Sequence, residues 1–225
     1  MASPQDLLDN RWAKAERQSL CDLLLEYGPD APTLCGDWNT HQLAGHLVAR
    51  ESRPDAAIGI TFSPMASWTA KVEEQYSQRP YTELVEKVRN GPPIWSPFKF
   101  PTADRIANTE EYFVHLEDVR RAQPDWEPRD LDPAFSNYLW ELTQQRGRMM
   151  FRKSPVGVIV ERTDGAGGEK QVKSADSTGN LGTVRIKGPA QELVLYSFGR
   201  KAHANVVIEG EPADIEAFGQ TDLSV

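Results

Sequence analysis

The hydrophobic spacing of this 225-residue chain changes near residue 153, and that change constrains the fold more than any other feature. Before it, apolar side chains recur three and four residues apart, as on the buried face of a helix. After it, β-branched segments such as 155–164 and 182–188 alternate with glycine-rich turns, a pattern typical of strands. The sequence therefore predicts an α+β protein, with a helical domain over 1–152 and a small α+β domain over 153–225.

Prolines, glycines and capping residues divide the first domain into helical segments. The predicted helices are 4–27, 66–76, 81–90 and 133–151, one that starts near Asn39 or Thr40 and runs to 52, and one that Thr102 or Asp104 opens and that runs to 121. Asn39 and Thr40 are both good N-caps. Residues 55–65 show no decided pattern. The segment GPPIWSPFKFPT contains four prolines, so we expect an extended loop that carries Trp95, Phe98 and Phe100. In the second domain, a helix ending at Gly199 is predicted between strands.

The composition excludes several classes of function. The net charge of −8 argues against non-specific binding to nucleic acid or to an anionic membrane. No apolar run approaches the ~20 residues of a membrane span, and the N-terminal residues show no secretory signal. The two cysteines, Cys21 and Cys35, form no Cys-x-x-Cys motif, so we expect a reduced, cytoplasmic protein. Cys21 lies on an apolar helical face, whereas Cys35 just precedes a helix and is a candidate reactive thiol.

Glu111 and His115 lie four residues apart in a predicted helix, so both side chains project from one face. His46 lies far upstream in the apolar segment LAGHLV and is expected to point toward the interior. A carboxylate and two imidazoles from two helices can bind one divalent cation and leave a coordination position open. A buried hydrogen bond would satisfy His46 equally well, so the pattern leaves both interpretations open.

The sequence resembles the DinB-like, mycothiol-dependent maleylpyruvate isomerase superfamily, and within it the actinobacterial metal-binding subfamilies without an assigned reaction. The resemblance is carried by DWNTHQLAGHL with His46, by EYFVHLEDVRRA with Glu111 and His115, by GPAQELVLYSFGR and by VVIEG. It covers nearly the whole chain, in the order of the two domains.

The resemblance implies a four-helix bundle followed by a small sterol carrier-like domain. It implies that His46, Glu111 and His115 bind a divalent metal, most often zinc, and that Arg200 holds an anionic substrate. The implied activity is that of a transferase or isomerase, in which the metal activates mycothiol or another small thiol against an electrophile. The same three ligands also suit nickel, manganese or iron.

Several roles stay open at this stage. Asp118 lies on the face that would let it orient a metal-bound histidine, or it is a solvated carboxylate. Arg200 holds substrate or caps the helix before it. Arg50 and Arg53 are expected to lie on a solvated face. The alternative is that they attract an anionic group. The alternative function is a non-catalytic protein that binds an apolar or acidic small molecule and has a structural metal. The oligomeric state is undetermined.

Overall fold

The computed structural model describes residues 11–53, 66–175 and 181–223, which combine helices with a mixed β-sheet. The predicted α+β class is therefore confirmed for this part of the chain. The contacts divide the chain into two compact units, Met1–Pro128 and Arg129–Val225. No helix in the described ranges is long and apolar enough to cross a membrane.

The described part of the first unit consists of helices joined by loops. Its elements are α1 (Arg11–Tyr27), α2 (Thr40–Ser52), α3 (Ala66–Ser77), α4 (Tyr81–Asn90), a 3₁₀ turn (Pro97–Lys99) and α5 (Pro101–Arg121). Helix α1 packs along α5, α4 packs on both α1 and α2, and α3 packs on α2. The undecided segment 55–65 lies outside the described residues.

Four of these helices, α1, α2, α4 and α5, contribute to one apolar core among the described residues. Their buried side chains there are Leu20, Cys21, Leu24, Leu43, Ala44, Leu47, Val48, Leu84, Val85, Val88, Tyr112, Leu116 and Val119. Cys21 is fully buried, as its apolar surroundings predict, and burial raises the pKa of its thiol to about 12. Burial of so many aliphatic groups is the main force that holds the helices together.

The start of α2 is fixed by a reciprocal cap. Asn39 has extended backbone angles and its side chain accepts a hydrogen bond from the Gln42 backbone N–H, while the Gln42 side chain accepts one from the Asn39 N–H. This arrangement satisfies two backbone donors that a helix start would otherwise leave unpaired. It confirms the predicted N-cap and sets the position of His46 on the next turns.

Helix α5 starts one residue before the predicted Thr102 and three before the alternative, Asp104. Pro101 occupies its first position, where the missing N–H costs nothing and the fixed φ suits a helix. The predicted proline-rich loop therefore ends at Phe100 and includes the short 3₁₀ turn. The prediction that Pro101 belongs to the loop is therefore wrong, because proline opposes a helix only beyond the first turn.

The second unit combines helices with a sheet. Its described elements are α6 (Pro133–Met150), β1 (Gly157–Arg162), β2 (Gly168–Lys173), β3 (Thr183–Gly188), α7 (Ala190–Ser197), a 3₁₀ turn (Lys201–His203), β4 (Val207–Glu209) and α8 (Pro212–Gly219). The strand order is β2-β1-β3-β4, with β1 and β3 parallel and both edge strands antiparallel to their neighbours. Helix α7 ends two residues before the predicted Gly199.

The two faces of the sheet differ in polarity. Val158, Val160, Val172, Val184 and Ile186 are buried. Glu161, Arg185, Lys187 and Glu209 lie on the other face and pair across the strands: Arg185 Nη1 lies 2.8 Å from Glu161 Oε2 and Lys187 Nζ 3.3 Å from Glu209 Oε1. This alternation is the period-two pattern of strands with one buried face.

The division between the units falls earlier than the domain boundary predicted at 152/153. Helix α6 packs on α7 and on β2, so its contacts place it in the second unit with the sheet. Its helical periodicity is the same as that of the first five helices. A local pattern identifies a helix but does not identify the partner against which the apolar face packs.

Candidate metal centre

His46, Glu111 and His115 meet inside the first unit. The imidazole Nε2 of His46 lies 3.4 Å from Glu111 Oε1, and the Nε2 of His115 lies 3.2 Å from the same oxygen. One ligand atom from each of the three residues lies within 4.8 Å of the others. Helix α2 supplies the first histidine, and α5 supplies the carboxylate and the second histidine one turn apart, as the spacing predicts.

The outer nitrogen of each histidine is held by a further carboxylate. Nδ1 of His46 lies 2.7 Å from Glu73 Oε1 on α3, and Nδ1 of His115 lies 2.9 Å from Asp118 Oδ2 on α5. A neutral imidazole that donates through Nδ1 presents a lone pair at Nε2. Both lone pairs then face Glu111, which is the usual arrangement of metal-binding histidines with their supporting carboxylates.

The separations of the two imidazole nitrogens from Glu111 Oε1 suit a tetrahedral divalent ion. Metal bonds of about 2.0–2.1 Å to nitrogen and oxygen place tetrahedral ligands about 3.3 Å apart. The two measured separations from Glu111 Oε1, 3.4 and 3.2 Å, differ from that edge by about a tenth of an ångström. Three protein ligands also leave a fourth position for water or substrate. The residues therefore fit a divalent metal with an open coordination position.

Glu111 is held in its charged form. Burial alone would raise the pKa of its carboxyl, but the Arg50 guanidinium and the two imidazoles hold that pKa well below its usual value. Arg50 Nε lies 3.1 Å from Glu111 Oε1, and its guanidinium lies over the Phe98 ring at 4.7 Å. The favoured prediction of a solvated Arg50 is wrong, because its side chain is only 11% exposed.

The pKa values of both imidazoles are raised by the groups around them. Burial would lower their pKa values, but for His46 the carboxylates of Glu111 and Glu73 raise the pKa above the usual value. For His115, the Cys35 sulfur and Asp118 raise the pKa well above the usual value against the same effect of burial. A cation that binds Nε2 therefore replaces a proton, so metal binding at this centre releases protons.

Asp118 and Cys35 lie on the other side of His115. Asp118 is fully buried, so it is not the solvated carboxylate that the sequence left open. Its Oδ2 also accepts a hydrogen bond from the Cys35 thiol at 3.0 Å, and Cys35 Sγ lies 3.5 Å from His115 Nδ1. The candidate reactive cysteine is thus adjacent to the candidate metal centre, although no periodicity linked the two in the sequence.

Trp38 contributes an aromatic wall, and Trp95 does not lie in the interior. The rings of Trp38 and His46 lie 5.1 Å apart, in a tilted arrangement. Trp95 and Phe100 are 69% and 70% exposed, whereas Phe98 packs under Arg50. Of the three loop aromatics named from the sequence, Phe98 has this link to the centre, through Arg50 and Glu111.

Arg200 belongs to the second unit, where it follows α7. Its Nη1 donates a hydrogen bond of 2.6 Å to the Phe198 carbonyl at the C-terminal end of that helix. This contact is the capping role that the sequence left open, since helix ends expose unpaired carbonyl groups. The substrate-binding role of Arg200 stays a prediction.

Glu73 is the member of this arrangement that sequence reasoning missed. It lies in VEEQY on α3, next to Glu74, and nothing in the local pattern distinguishes the two carboxylates. Glu73 is partly buried, whereas Glu74 is exposed. The discriminating signal was Val72, which is buried and therefore fixes which face of α3 turns inward.

A second concave feature lies within the second unit. A cleft of about 460 Å³ is lined by Arg148, Arg152, Gln171, Val172, Lys173 and Ser174. Three of the six lining residues are cationic. A cleft of that composition favours an anionic small molecule.

No protein-family model, curated protein or solved structure matches this chain.

Proposed function

We propose that the chain is a divalent-metal-binding member of the DinB-like, mycothiol-dependent maleylpyruvate isomerase superfamily, with zinc as the first metal to test. The proposal includes the bundle and sterol carrier-like domains of that superfamily. The observation that carries it is the convergence of His46, Glu111 and His115, each imidazole being oriented by a carboxylate. A cytoplasmic location belongs to the proposal, and the free thiols of Cys21 and Cys35 support it.

The proposed activity is that of a thiol-dependent transferase or isomerase acting on a small electrophile. A divalent ion at this centre would lower the pKa of a bound thiol toward neutrality. The thiolate sulfur forms a bond to the electrophilic carbon, and the neighbouring carbon takes up a proton. Elimination after rotation breaks the same bond, returns the thiol and leaves an isomerised double bond. Transfer without elimination gives the thioether product.

The chain's own residues would prepare this reaction. His46 and His115 would bind the ion through Nε2 once the protons there have left, Glu111 would supply the anionic ligand, and Arg50 keeps that carboxylate ionised. Trp38 excludes water from one side of His46. Arg200 is proposed to hold the carboxylate of an anionic substrate, as the resemblance implies.

The first test is metal content per chain. We expect about one zinc ion in the purified protein and its loss in His46→Ala and His115→Ala, because each variant removes one of three ligands. His41→Ala is the matched control and should keep the ion, because His41 lies on the same helix as His46 but its Nε2 contacts the Arg79 carbonyl at 2.8 Å. A wild-type protein that contains no metal and takes up no added zinc, cobalt or nickel would refute the metal centre.

The second test asks whether an external thiol binds the metal. We expect a small thiol such as mycothiol or cysteine methyl ester to change the visible spectrum of the cobalt-substituted protein. The measurement belongs in both the wild type and Cys35→Ser, because the Cys35 thiol lies beside His115. A spectrum that no added thiol alters in either protein argues against the thiol-dependent reaction and leaves the metal centre intact.

The alternative function is non-catalytic binding of an acidic small molecule in the second unit, with a structural metal in the first. The cleft lined by Arg148, Arg152 and Lys173 is the observation that favours it. Calorimetric titration with succinate and with inorganic phosphate tests the alternative. Binding should weaken in Arg148→Gln, persist in Lys153→Gln, and survive removal of the metal. Lys153 pairs with Asp222 at 2.8 Å and is not among the residues that line the cleft. A strict dependence on metal would exclude this function.

A further inference from the structure

A second group of potential metal ligands lies on the Nδ1 side of His115. Cys35 Sγ lies 3.0 Å from Asp118 Oδ2 and 3.5 Å from His115 Nδ1, and that nitrogen lies 2.9 Å from the same Asp118 oxygen. The three atoms form a closed triangle. The proposed centre uses the opposite nitrogen, Nε2, together with Glu111. The two groups therefore share one imidazole ring and no ligand atom.

The thiol is held in place by the loop between α1 and α2. The Leu34 N–H donates to the Asp118 carbonyl at 3.1 Å, which ties the loop to α5. The Cys35 N–H donates to Thr33 Oγ1 at 3.1 Å, and that hydroxyl donates to the Trp38 carbonyl at 2.7 Å. Gly36 follows with a φ of 61°, a conformation that few residues other than glycine adopt readily. The loop thus fixes where the sulfur lies.

The burial of the group fits a bound ion that a solute can still reach. Asp118 is fully buried and His115 is 9% exposed, so neither side chain is an ordinary surface group. Cys35 is only partly buried, which leaves an approach from solvent on the sulfur side. Low local polarity strengthens the attraction between a cation and buried anionic ligands.

The spacing is close to that of a thiolate-containing tetrahedral site. Bonds of about 2.3 Å to sulfur and about 2.0 Å to nitrogen or oxygen place the ligands about 3.3–3.6 Å apart. The measured triangle is smaller by a few tenths of an ångström on two of its edges. Both short edges are made by Asp118 Oδ2, so a bound ion would widen each of them by about 0.4–0.5 Å.

We infer that Cys35, His115 and Asp118 form a second cation position, which takes a thiophilic divalent ion such as cadmium or zinc. A thiolate with one imidazole and one carboxylate prefers these ions to magnesium or calcium, which select oxygen ligands. Binding displaces the thiol proton to solvent, and the imidazole binds through Nδ1 as the neutral tautomer with its proton on Nε2. This inference goes beyond the proposed function, since it requires neither His46 nor Glu111.

Cadmium binding followed by thiolate-to-cadmium absorption in the ultraviolet tests the inference on the full chain. We expect the band in the wild type, its retention in Cys21→Ala, and its loss in Cys35→Ser. Cys21 is the matched control, because it is the other cysteine and its thiol is hydrogen-bonded to the Val85 carbonyl in the core. Circular dichroism of each variant verifies that the helices have formed.

Two further variants separate this position from the proposed centre and from a single reactive thiol. In His46→Ala the cadmium band should persist while zinc at the first centre is lost. In Asp118→Asn the cadmium affinity should fall at least 10-fold, as for the loss of a metal-ligand interaction. A band that is absent in the wild type, survives in Cys35→Ser, or keeps its affinity in Asp118→Asn overturns the inference. Loss of the band in His46→Ala would also overturn it, because the thiol would then belong to the first centre.

Discussion

At the residue scale, the candidate centre depends on groups that do not themselves face the cation. Glu73 and Asp118 hold the outer nitrogens of His46 and His115, so each ring is oriented before an ion arrives. Arg50 Nε contacts the same Glu111 oxygen that faces the two imidazoles. A preorganised set of ligands loses less conformational entropy on binding than a mobile one.

The role of Glu73 gives the first prediction. Glu73→Ala removes the 2.7 Å contact with His46 Nδ1, so zinc affinity should fall about 10- to 100-fold. Competition with a chromophoric chelator measures that affinity. Glu74→Ala is the matched control, because Glu74 is exposed one residue away on the same helix. Equal affinities of the two variants for zinc would contradict an orienting role for Glu73.

The sequence predicted the three residues that meet at this centre but not the residues that support them. Glu111 and His115 were identifiable because an i, i+4 pair is a local pattern, and His46 because apolar residues surround it. Glu73 and Arg50 act through contacts with residues 27 and 61 positions away, and no local pattern encodes such contacts. Arg50 was predicted to be solvated, because a cationic side chain on a helix usually is.

At the element scale, the approach of α3 to α2 determines whether Glu73 reaches His46. Gly45, adjacent to His46, provides the space for this approach. A Cβ at that position would lie 3.1 Å from the backbone nitrogen of Ser77, one turn beyond Glu73. The absence of a side chain thus permits the contact of the two helices near the centre.

The second prediction follows from this contact. Gly45→Val should push α3 away, destabilise the fold by about 1–3 kcal/mol and reduce zinc affinity toward that of Glu73→Ala. Urea unfolding and chelator competition measure the two effects. Gly219→Val is the control, because nothing lies within 4 Å of a Cβ built there. Unchanged zinc affinity in Gly45→Val would show that α3 does not position the centre.

The cap of α2 gives the third prediction. Asn39→Ala removes the acceptor for the Gln42 N–H and should lower the free energy of unfolding by about 1 kcal/mol. Urea unfolding of the metal-free protein measures the loss. Asn90→Ala is a suitable comparison, since Asn90 bonds only its own helix at the Glu86 carbonyl among the contacts described. A loss in Asn90→Ala as large as that in Asn39→Ala would contradict the capping argument.

At the scale of the whole molecule, a buried polar cluster joins three helices of the first unit. Arg17 Nη2 on α1 contacts Glu51 Oε1 at 2.7 Å and Asp104 Oδ1 at 3.0 Å, so α1, α2 and α5 meet at one guanidinium. The Tyr112 hydroxyl donates to Glu51 at 2.8 Å, and Asn108 donates to Asp104 at 2.7 Å. Such a cluster specifies which helix faces meet, because other packings would leave charges unpaired.

The fourth prediction concerns the cation of this cluster. Arg17→Met leaves two buried carboxylates without their guanidinium and should destabilise the protein by about 3–5 kcal/mol. Thermal or urea unfolding measures this change. Arg89→Met is the comparison, because Arg89 pairs with Asp22 at 2.8 Å at the surface and should contribute about 1 kcal/mol or less. A small effect of Arg17→Met would mean that the carboxylates take up protons without cost.

The fifth prediction is a dependence of stability on pH. Burial raises the pKa of the Glu51 carboxyl above its usual 4.5, and Arg17 and Tyr112 offset only part of this effect. A raised pKa in the folded state means that the native protein binds the proton more tightly. The contribution of Glu51 is therefore full below pH 4.5 and is lost as pH rises through the raised value.

The direction of this pH dependence can be checked with Glu51→Gln, whose side chain is neutral at every pH. The difference in unfolding free energy between the wild type and Glu51→Gln should shift against the wild type as pH rises, by about 1.4 kcal/mol for each unit of pKa shift. Urea unfolding below pH 4.5 and again at higher pH measures this difference in unfolding free energy, with Glu74→Gln as the control. A difference that does not vary with pH would contradict the raised pKa.

The helices and strands of the chain were largely predictable, whereas their assembly was not. The Asn39 cap and the alternation in β1 are local signals, and the structure bears out both. The partner of α6 was not predictable, because its apolar face suits a second helix layer or a sheet equally well. Its contacts with α7 and β2 depend on the register of strands that follow it in the chain.

The strand order has a consequence for how copies of this chain behave at high concentration. Strands β2 and β4 are the edges of the described sheet, and an open edge can pair with the edge of another molecule. Along β2, Glu169, Lys170 and Gln171 are exposed, and β4 is only three residues long. Charge on one edge and brevity on the other disfavour the intermolecular strand pairing that leads to aggregation.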